Sequence, residues 1–332
     1  MSDSLTLGFL IFPGFPMAAL TSAIEPLRAA NEIAGEQRFH WRVIGETMAP
    51  VRSSAGVVFA PDEALSENAK LDHIFLISGP DAHFETPSSG NGALRRLSRS
   101  GVIIGGFSGG IFPLARSGLL ENHACSLHWC YEAAFRTEFP DIEAVMTVIC
   151  QDRRRMTASG AAAVFDLMLK LIEDSFGAEI MTEVACWFQH PFMRTSEVAQ
   201  KIPTLATANT DDMMPKPVAR AIQMFAEHIE DPIQIVDVAE AVNMSTRHLE
   251  RSFKRATGQS PLKYYRRLRL KQARQLVLYS NDTITEIALS VGYASTTPMV
   301  RHYKETYGNS PQQDRKDKNK FRVTDGNCLP SV

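Results

Sequence analysis

Residues 235–311 contain one unit written twice, and no other feature constrains the fold as much. The first copy runs Ile235, Val238, Ala239, Val242, then Ser245, Leu249, Arg251, Phe253, Lys254, Gly258, Ser260, Pro261. The second runs Ile284, Ile287, Ala288, Val291, then Ser295, Met299, Arg301, Tyr303, Lys304, Gly308, Ser310, Pro311. The offset is 49 residues before the turn and 50 after it, so one turn is longer by a residue. A repeat with matched internal periodicity marks one supersecondary unit used twice. Each copy reads as a short helix, a tight turn and a second helix opened by a serine cap, which is a helix-turn-helix.

In the first copy the apolar positions of 235–242 fall on one helix face. Leu249 and Phe253 turn inward in the second helix, so Arg247, His248, Glu250, Arg251 and Lys254 face outward. A helix of this kind enters the major groove with its N-terminal residues near base edges. Arginine there can bond guanine O6 and N7 bidentately, and Glu250 can accept from cytosine N4. Lys254 and Arg255 suit phosphates, which position without specifying. In the second copy Met299, Tyr303 and Tyr307 turn inward. Ser295, Thr296, Thr297 and Arg301 point out, with Lys304 standing where the first copy has Lys254. Pro298 falls in the first turn, where a missing N–H does no harm.

Residues 261–280 join the copies as one helix, which at 1.5 Å per residue comes close to the roughly 34 Å turn of DNA. One chain can then read two successive major-groove faces. Lys263, Arg266, Arg267, Arg269, Lys271 and Arg274 on this rod are candidates for phosphate contacts, with about half of them expected to be an ordinary solvated face.

Charge follows the same division. Over 332 residues the net charge is −2. Residues 1–200 hold 15 basic against 23 acidic side chains, whereas residues 217–316 hold 15 against 10. A basic module on an acidic body is the footprint of a nucleic-acid binder. No apolar run reaches the roughly 20 residues that span a bilayer, and Met1–Leu5 has no basic segment before an apolar core, so neither membrane nor secretion is expected. Five cysteines without a C-x-x-C pair read as reduced thiols, mostly buried, of a cytoplasmic protein. No Cys/His pair has zinc-ligand spacing, and neither a metal nor another cofactor is implied.

The N-terminal part alternates strand and helix signals. Apolar runs at 5–12, 73–78 and 101–106 are strand candidates. Helical spacing appears at 18–31, 91–99, 110–117, 129–138 and 160–175. This predicts a doubly wound α/β domain with a parallel sheet covered on both faces, followed by an all-α domain with two helix-turn-helix units. The boundaries expected are 1–195 for the first domain, 196–216 for a linker, 217–315 for the DNA module and 316–332 for a disordered tail. Ligands of such sheets bind beyond the carboxyl ends of the strands, where loops 12–16, 78–83 and 107–110 converge. Phe15, Phe107 and Trp129 are candidate aromatic walls there, and Glu25 is a candidate counter-charge. The set suits a cationic or quaternary amine, while core packing is the plainer reading for any single ring. Trp41 and His40 read as packing beside a strand, and Arg153-Arg154-Arg155 as a solvated turn.

Gly106-Phe107-Ser108-Gly109-Gly110 follows an apolar strand and precedes a helix, as a nucleophile elbow does. With His128 it could support acyl transfer if a third group orients the imidazole. A glycine-rich turn required by backbone geometry explains the same glycines. The two readings therefore stand side by side: a ligand site using Ser108, Gly109 and His128, or a hydrolase-like enzyme carrying a DNA module.

Residues 217–315 resemble the AraC/XylS-type DNA-binding domain. The likeness rests on Val291-Gly292-Tyr293-Ala294-Ser295 and on the close Tyr307-Gly308-Asn309-Ser310-Pro311. It implies base contacts from Arg247, Glu250, Arg251, Thr296, Thr297 and Arg301, although Pro298 stands where relatives usually carry a polar residue. Residues 5–190 resemble the flavodoxin-like PfpI/class I glutamine amidotransferase-like domain found in GlxA-type regulators. Enzymes of that superfamily carry cysteine at the elbow, where this chain has Ser108. The segments Ala23 to Asn31, Ala115 to Leu120 and Asp166 to Leu169 resemble a narrower group, which includes regulators of glycine betaine, carnitine and arginine catabolism. The resemblance implies a homodimeric transcription regulator, an activator rather than a repressor and not an enzyme. Its partners would be promoter DNA, RNA polymerase and a small nitrogenous metabolite.

Overall fold

In a computed structural model, the structure describes residues 4–66, 68–190, 193–195, 198–200 and 215–317. They form two compact units, one ending at Gln200 and the other ending at Asp317.

Among the described residues the first unit is built on a seven-stranded sheet. Its strands, with two short accessory pairs, are β1 (Leu5–Ile11), β2 (Phe39–Gly45), β3 (Val51–Arg52), β4 (Val58–Phe59), β5 (Glu63–Ala64), β6 (His73–Ser78), β7 (Ile103–Ser108), β8 (Cys125–Ser126), β9 (Ala144–Val145), β10 (Ile149–Asp152) and β11 (Arg155–Ala158). The sheet order is β10-β11-β7-β6-β1-β2-β5. Every pairing in it is parallel except β10 against β11 at one edge. The chain leaves β1 outward to β2 and then returns to β6 on the other side, so the direction of winding reverses between β1 and β6. That reversal opens a crevice at the carboxyl edge.

Helices α1 (Met17–Ala34), α5 (Ala161–Phe176) and α6 (Ala178–Trp187) pack on one another and, through α5, on the strands. Alternate residues Leu7, Phe9 and Ile11 of β1 point into their core together with Phe75, Ile77, Phe107, Leu27 and Val164. Helices α2 (Pro87–Arg99), α3 (Ile111–Arg116) and α4 (Glu132–Glu138) complete the unit, α3 packing on β6 and β7.

The predicted doubly wound domain is present, with instructive departures. The β2 segment, FHWRVIG, mixes polar and apolar residues and has no continuous apolar run, so only its pairing with β1 reveals it as a strand; His40 and Trp41 lie within it. The helix expected over 129–138 is a 3-10 turn at Trp129–Tyr131 followed by α4. The Arg153–Arg155 triplet is not wholly a solvated turn. Arg155 lies in β11, is 8% exposed and donates to the Leu119 carbonyl and to Ser98 Oγ. The thiols are less uniformly buried than expected: Cys125 and Cys130 are buried, Cys150 is half-buried and Cys186 is exposed. Burial pushes the Cys125 thiol up to about 12 and Cys150 up to about 11, which keeps both protonated; Cys328 lies outside the described residues. Residues 198–200, expected in the linker, belong to the first unit: Ala199 bridges Thr147, and Gln200 bonds the backbone of Leu127, Trp129 and Thr147. The remainder of the linker up to residue 214, and the tail from 318, lie outside the described residues.

The second unit is helical: α7 (Lys216–Glu227), α8 (Ile235–Ala241), α9 (Thr246–Thr257), α10 (Pro261–Tyr279), α11 (Ile284–Ser290), α12 (Thr296–Tyr307) and α13 (Pro311–Asp317). Helices α8–α9 and α11–α12 are the two copies of the repeat, and α10 is the rod between them. Leu249 and Phe253 of α9 sit in a core with Val238, Phe225, Tyr264 and Tyr265. Met299 and Tyr303 of α12 are likewise fully buried, whereas Tyr307 is half-buried against Tyr303.

The turn after β7 shows how closely backbone can approach backbone. A Cβ added at Gly110 would lie 1.9 Å from the carbonyl oxygen of Leu76, inside the sheet. Gly110→Ala is therefore expected to lower unfolding free energy by about 3 kcal/mol or more. A urea midpoint unchanged from the parent chain would contradict this packing.

Candidate nucleic-acid interface and ligand crevice

Helix α9 starts at a working cap. Ser245 is extended and its side chain accepts the N–H of His248, satisfying one of the free donors of the first turn. It ends at Gly258, in the left-handed conformation that glycine tolerates best. Between these ends Arg247, Glu250, Arg251, Lys254 and Arg255 are all exposed, so the face opposite Leu249 and Phe253 is free for a partner. In α12, Thr297, Arg301 and Lys304 are exposed and Thr296 is half-buried.

The second copy departs from the expected serine cap. Ser295 is extended but makes no capping bond. The reason lies three residues on, at the position His248 occupies in α9. Pro298 stands there and has no N–H to give. The two reading helices thus begin differently although their sequences align.

The cationic rod divides into structural and free groups. Arg269 donates from Nε to the Val291 carbonyl at 2.7 Å and from Nη2 to that of Gly292 at 2.6 Å. Its guanidinium lies 4.4 Å from the Tyr293 ring centre. Arg274 sits 3.2 Å from the buried carboxylate of Asp314 and over Tyr307. That pair is a charge contact without hydrogen-bond alignment at Nε. Lys271 is partly buried, and desolvation lowers its pKa. These three are committed to the fold. Lys263, Arg266 and Arg267 instead line an open pocket with His302 of α12. Sequence periodicity could not make this separation, since all six look alike on a helix of mixed burial.

In the first unit Ser78 pairs in register with Ser108, one strand over from Ile11, so the ends of β1, β6 and β7 do meet at the carboxyl edge. Ser108 has φ 56°, a conformation that is unusual for a side-chain-bearing residue, as at a strained elbow. Gly109 is required because a Cβ there would lie 2.5 Å from the Ser78 carbonyl oxygen. Ser108 is, however, fully buried. His128 stands against Gly160, just beyond the end of β11. Its Nδ1 accepts the N–H of Cys130 at 3.3 Å and lies 3.0 Å from that residue's Sγ. Burial lowers its pKa to about 4. A neutral ring whose Nδ1 accepts carries its proton on Nε2 and has no free basic nitrogen, so it is poorly suited to activate a hydroxyl.

The expected aromatic walls are mostly core. Phe15 is fully buried and meets Phe59 edge-on at 5.3 Å, while Phe107 is fully buried and stacks on Phe75 at 4.5 Å. Trp129 is half-exposed, with its ring 5.3 Å from His128. The Glu25 carboxylate is taken by Arg28, 3.0 Å away on the same helix. Phe107 falls on the inward face of β7, and Phe15, in the turn between β1 and α1, is drawn into the same apolar core. Among the described residues no group of three or more His, Cys, Asp or Glu could hold a metal ion, and no helix is long and apolar enough to cross a membrane.

A buried α/β sheet followed by two exposed, cation-bearing reading helices on one rod defines the class: a DNA-binding transcription regulator with an α/β domain at its N-terminus. Comparison with known proteins agrees. A DJ-1/PfpI family model matches residues 9–174 and a helix-turn-helix domain model matches 238–317. The HTH-type transcriptional regulator GbdR of Pseudomonas aeruginosa is 31% identical over 310 residues, covering 93% of this chain and 84% of its own. The HTH-type transcriptional regulator GlxA of Rhizobium meliloti is 30% identical over 306 residues, covering 92% and 94%. A crystal structure of an AraC family transcriptional regulator from Pseudomonas putida shares the fold with TM-score 0.51 and 24% identity, covering 55% of this chain and 99% of that one. The chain belongs to the AraC-type helix-turn-helix transcriptional regulators that carry a DJ-1/PfpI domain.

The cap asymmetry and the half-buried His128 each give an expected outcome. Pro298→Ala restores an N–H for Ser295 to accept and should raise stability by about 0.5–1 kcal/mol, read from urea unfolding; unchanged or lowered stability would show that the cap is not limiting. For His128, the folded pKa of about 4 lies below the unfolded value near 6.5. Between those values the unfolded chain binds a proton that the folded chain refuses, so this stability is complete above pH 6.5 and falls away toward pH 4. His128→Gln should flatten the dependence of unfolding free energy on pH across that window, and an unaltered slope would place the charge of His128 elsewhere.

Proposed function

We propose that this regulator reads promoter DNA through Arg247, Glu250, Arg251 and Lys254 of α9 and Thr296, Thr297, Arg301 and Lys304 of α12, in answer to a small nitrogenous metabolite held by its N-terminal unit. The observation that carries the DNA half of this reading is the pair of exposed faces, each backed by a buried apolar face, on helices joined by one continuous α10. The α10 helix has 19 residues, which is about 28 Å of rise, of the order of one duplex turn. Arg251 and Arg301 occupy equivalent positions and suit guanine. Lys254 and Lys304 lie in the last turn of their helices and suit phosphate.

The effector half is supported by the family, whose members GbdR and GlxA are named regulators, and by the resemblance of the N-terminal segments to regulators of amine and amino-acid catabolism. A metabolite that binds two arrangements of the protein with different affinity shifts the population between them. The protein acts in the cytoplasm, as a homodimer, and activates transcription by contact with RNA polymerase. An acyl-transfer role for Ser108 and His128 gains no support, because the hydroxyl is shielded and the imidazole lacks a free base.

Selection of random duplexes by the full-length chain should recover a motif with two elements about 10 base pairs apart. Arg251→Ala should then relax preference at one base pair by about 1–3 kcal/mol. Binding that prefers no sequence over random competitor at moderate salt would overturn the reading. Uniform weakening by Arg251→Ala would assign that residue to phosphate instead.

A further inference from the structure

The first unit has a pocket of about 310 Å³ away from the carboxyl-edge crevice, between edge strand β10, the outer side of α5 and residues 193–195. Its volume lies within the range of small-molecule sites. Ile149, Leu167 and Met193 give it apolar walls, and charged groups of both signs stand at its margin.

Its polar end is organised around Asp166, which is fully buried in the middle of α5. One carboxylate oxygen accepts from His190 Nε2 at 2.7 Å and from the Arg194 backbone N–H at 3.2 Å. The other accepts from Arg194 Nε at 2.7 Å. A buried carboxylate with three donors is stable where it is and fixes the guanidinium sideways. The Arg194 side chain is nevertheless 35% exposed and lines the pocket, so guanidinium surface not engaged by Asp166 is open to an acceptor. Farther along α5, Glu173 lines the same pocket, 2.9 Å from Lys170.

We infer that this pocket binds a small carboxylate-bearing metabolite, its carboxylate on the Arg194 guanidinium and its carbon skeleton against Ile149, Leu167 and Met193. The inference rests on the effector reading given above and deepens it by placing the site. Arg194 is a binding residue in this scheme, and Asp166 positions it.

The test is isothermal titration calorimetry of the full-length chain with glycine betaine, L-carnitine, L-arginine and L-proline as probes, alongside the same titrations of Arg194→Gln and Gln151→Trp. Gln151 is an exposed residue of the pocket rim, so its replacement obstructs the mouth without disturbing the core. At least one probe should bind the parent chain, and each variant should weaken that probe about tenfold or more. If Arg194→Gln does not fold because Asp166 has lost its partner, Gln151→Trp decides alone. A probe that binds the parent and both variants within twofold overturns the site and leaves the effector reading standing. If no probe binds the parent, and none alters its DNA binding, the effector reading fails and takes the site with it.

Discussion

A single arginine in the rod fixes the relation between the two reading helices. Arg269 sits on α10 and reaches across to the carbonyls of Val291 and Gly292 at the turn of the second copy, with Tyr293 against its face. Gly292 lies so close to the 229–232 segment before the first copy that a Cβ there would fall 2.7 Å from the Ile229 carbonyl oxygen. Tyr265, one helical turn before Arg269, accepts the Ile233 N–H and donates to the His228 carbonyl. Backbone just before the first copy and backbone at the turn of the second are therefore anchored to neighbouring positions of one helix. A guanidinium that caps two carbonyls while stacked on a ring is far more restrictive than a surface ion pair. DNA reading by two helices demands that restriction, because an error in their separation is an error in register on the duplex.

The two copies meet this demand with different interiors. The first is aromatic and apolar, with Phe225 stacked on Tyr265 and Phe253 against Tyr264. The second is tied by polar contacts, with Tyr303 and Asn309 both donating to the buried Asp314 carboxylate while Arg274 stands beside it. Their reading helices differ as well, since only α9 has its serine cap. Arg247 corresponds to Thr297 and Glu250 to Val300, so the duplication keeps the scaffold and changes the side chains at matching positions of the two helices.

The N-terminal unit keeps the geometry of an elbow without its chemistry. Ser108 holds the strained backbone angle, and the glycines around it are demanded by the approach of strand carbonyls. The hydroxyl is enclosed, and His128 is neutral with its Nδ1 accepting the Cys130 N–H. A turn of this kind serves the sheet as well as it serves catalysis, so the motif Gly-x-Ser-x-Gly identifies a backbone path more securely than an activity.

What the sequence determined by itself was set by periodicity and by turn residues. The repeat located α8 to α12 within a few residues, because apolar spacing, serine caps and left-handed glycines are local properties, whereas α7 and α13 lie outside it. The apolar runs of β1 and β6 were legible for the same reason. Only the tertiary structure decided the rest. Strand β2 has no apolar run and exists through pairing with β1. Arg269 and Arg274 are indistinguishable in sequence from Lys263 and Arg266 until their carbonyl and carboxylate partners, separated along the chain, are brought beside them. Phe15 and Phe107 read equally well as crevice walls or core until packing buries them. The Asp166–Arg194 pair joins residues 28 apart, from α5 to a stretch beyond α6. Local chemistry fixes what a segment can form, and long-range contact fixes which of its charged and aromatic groups remain free to act.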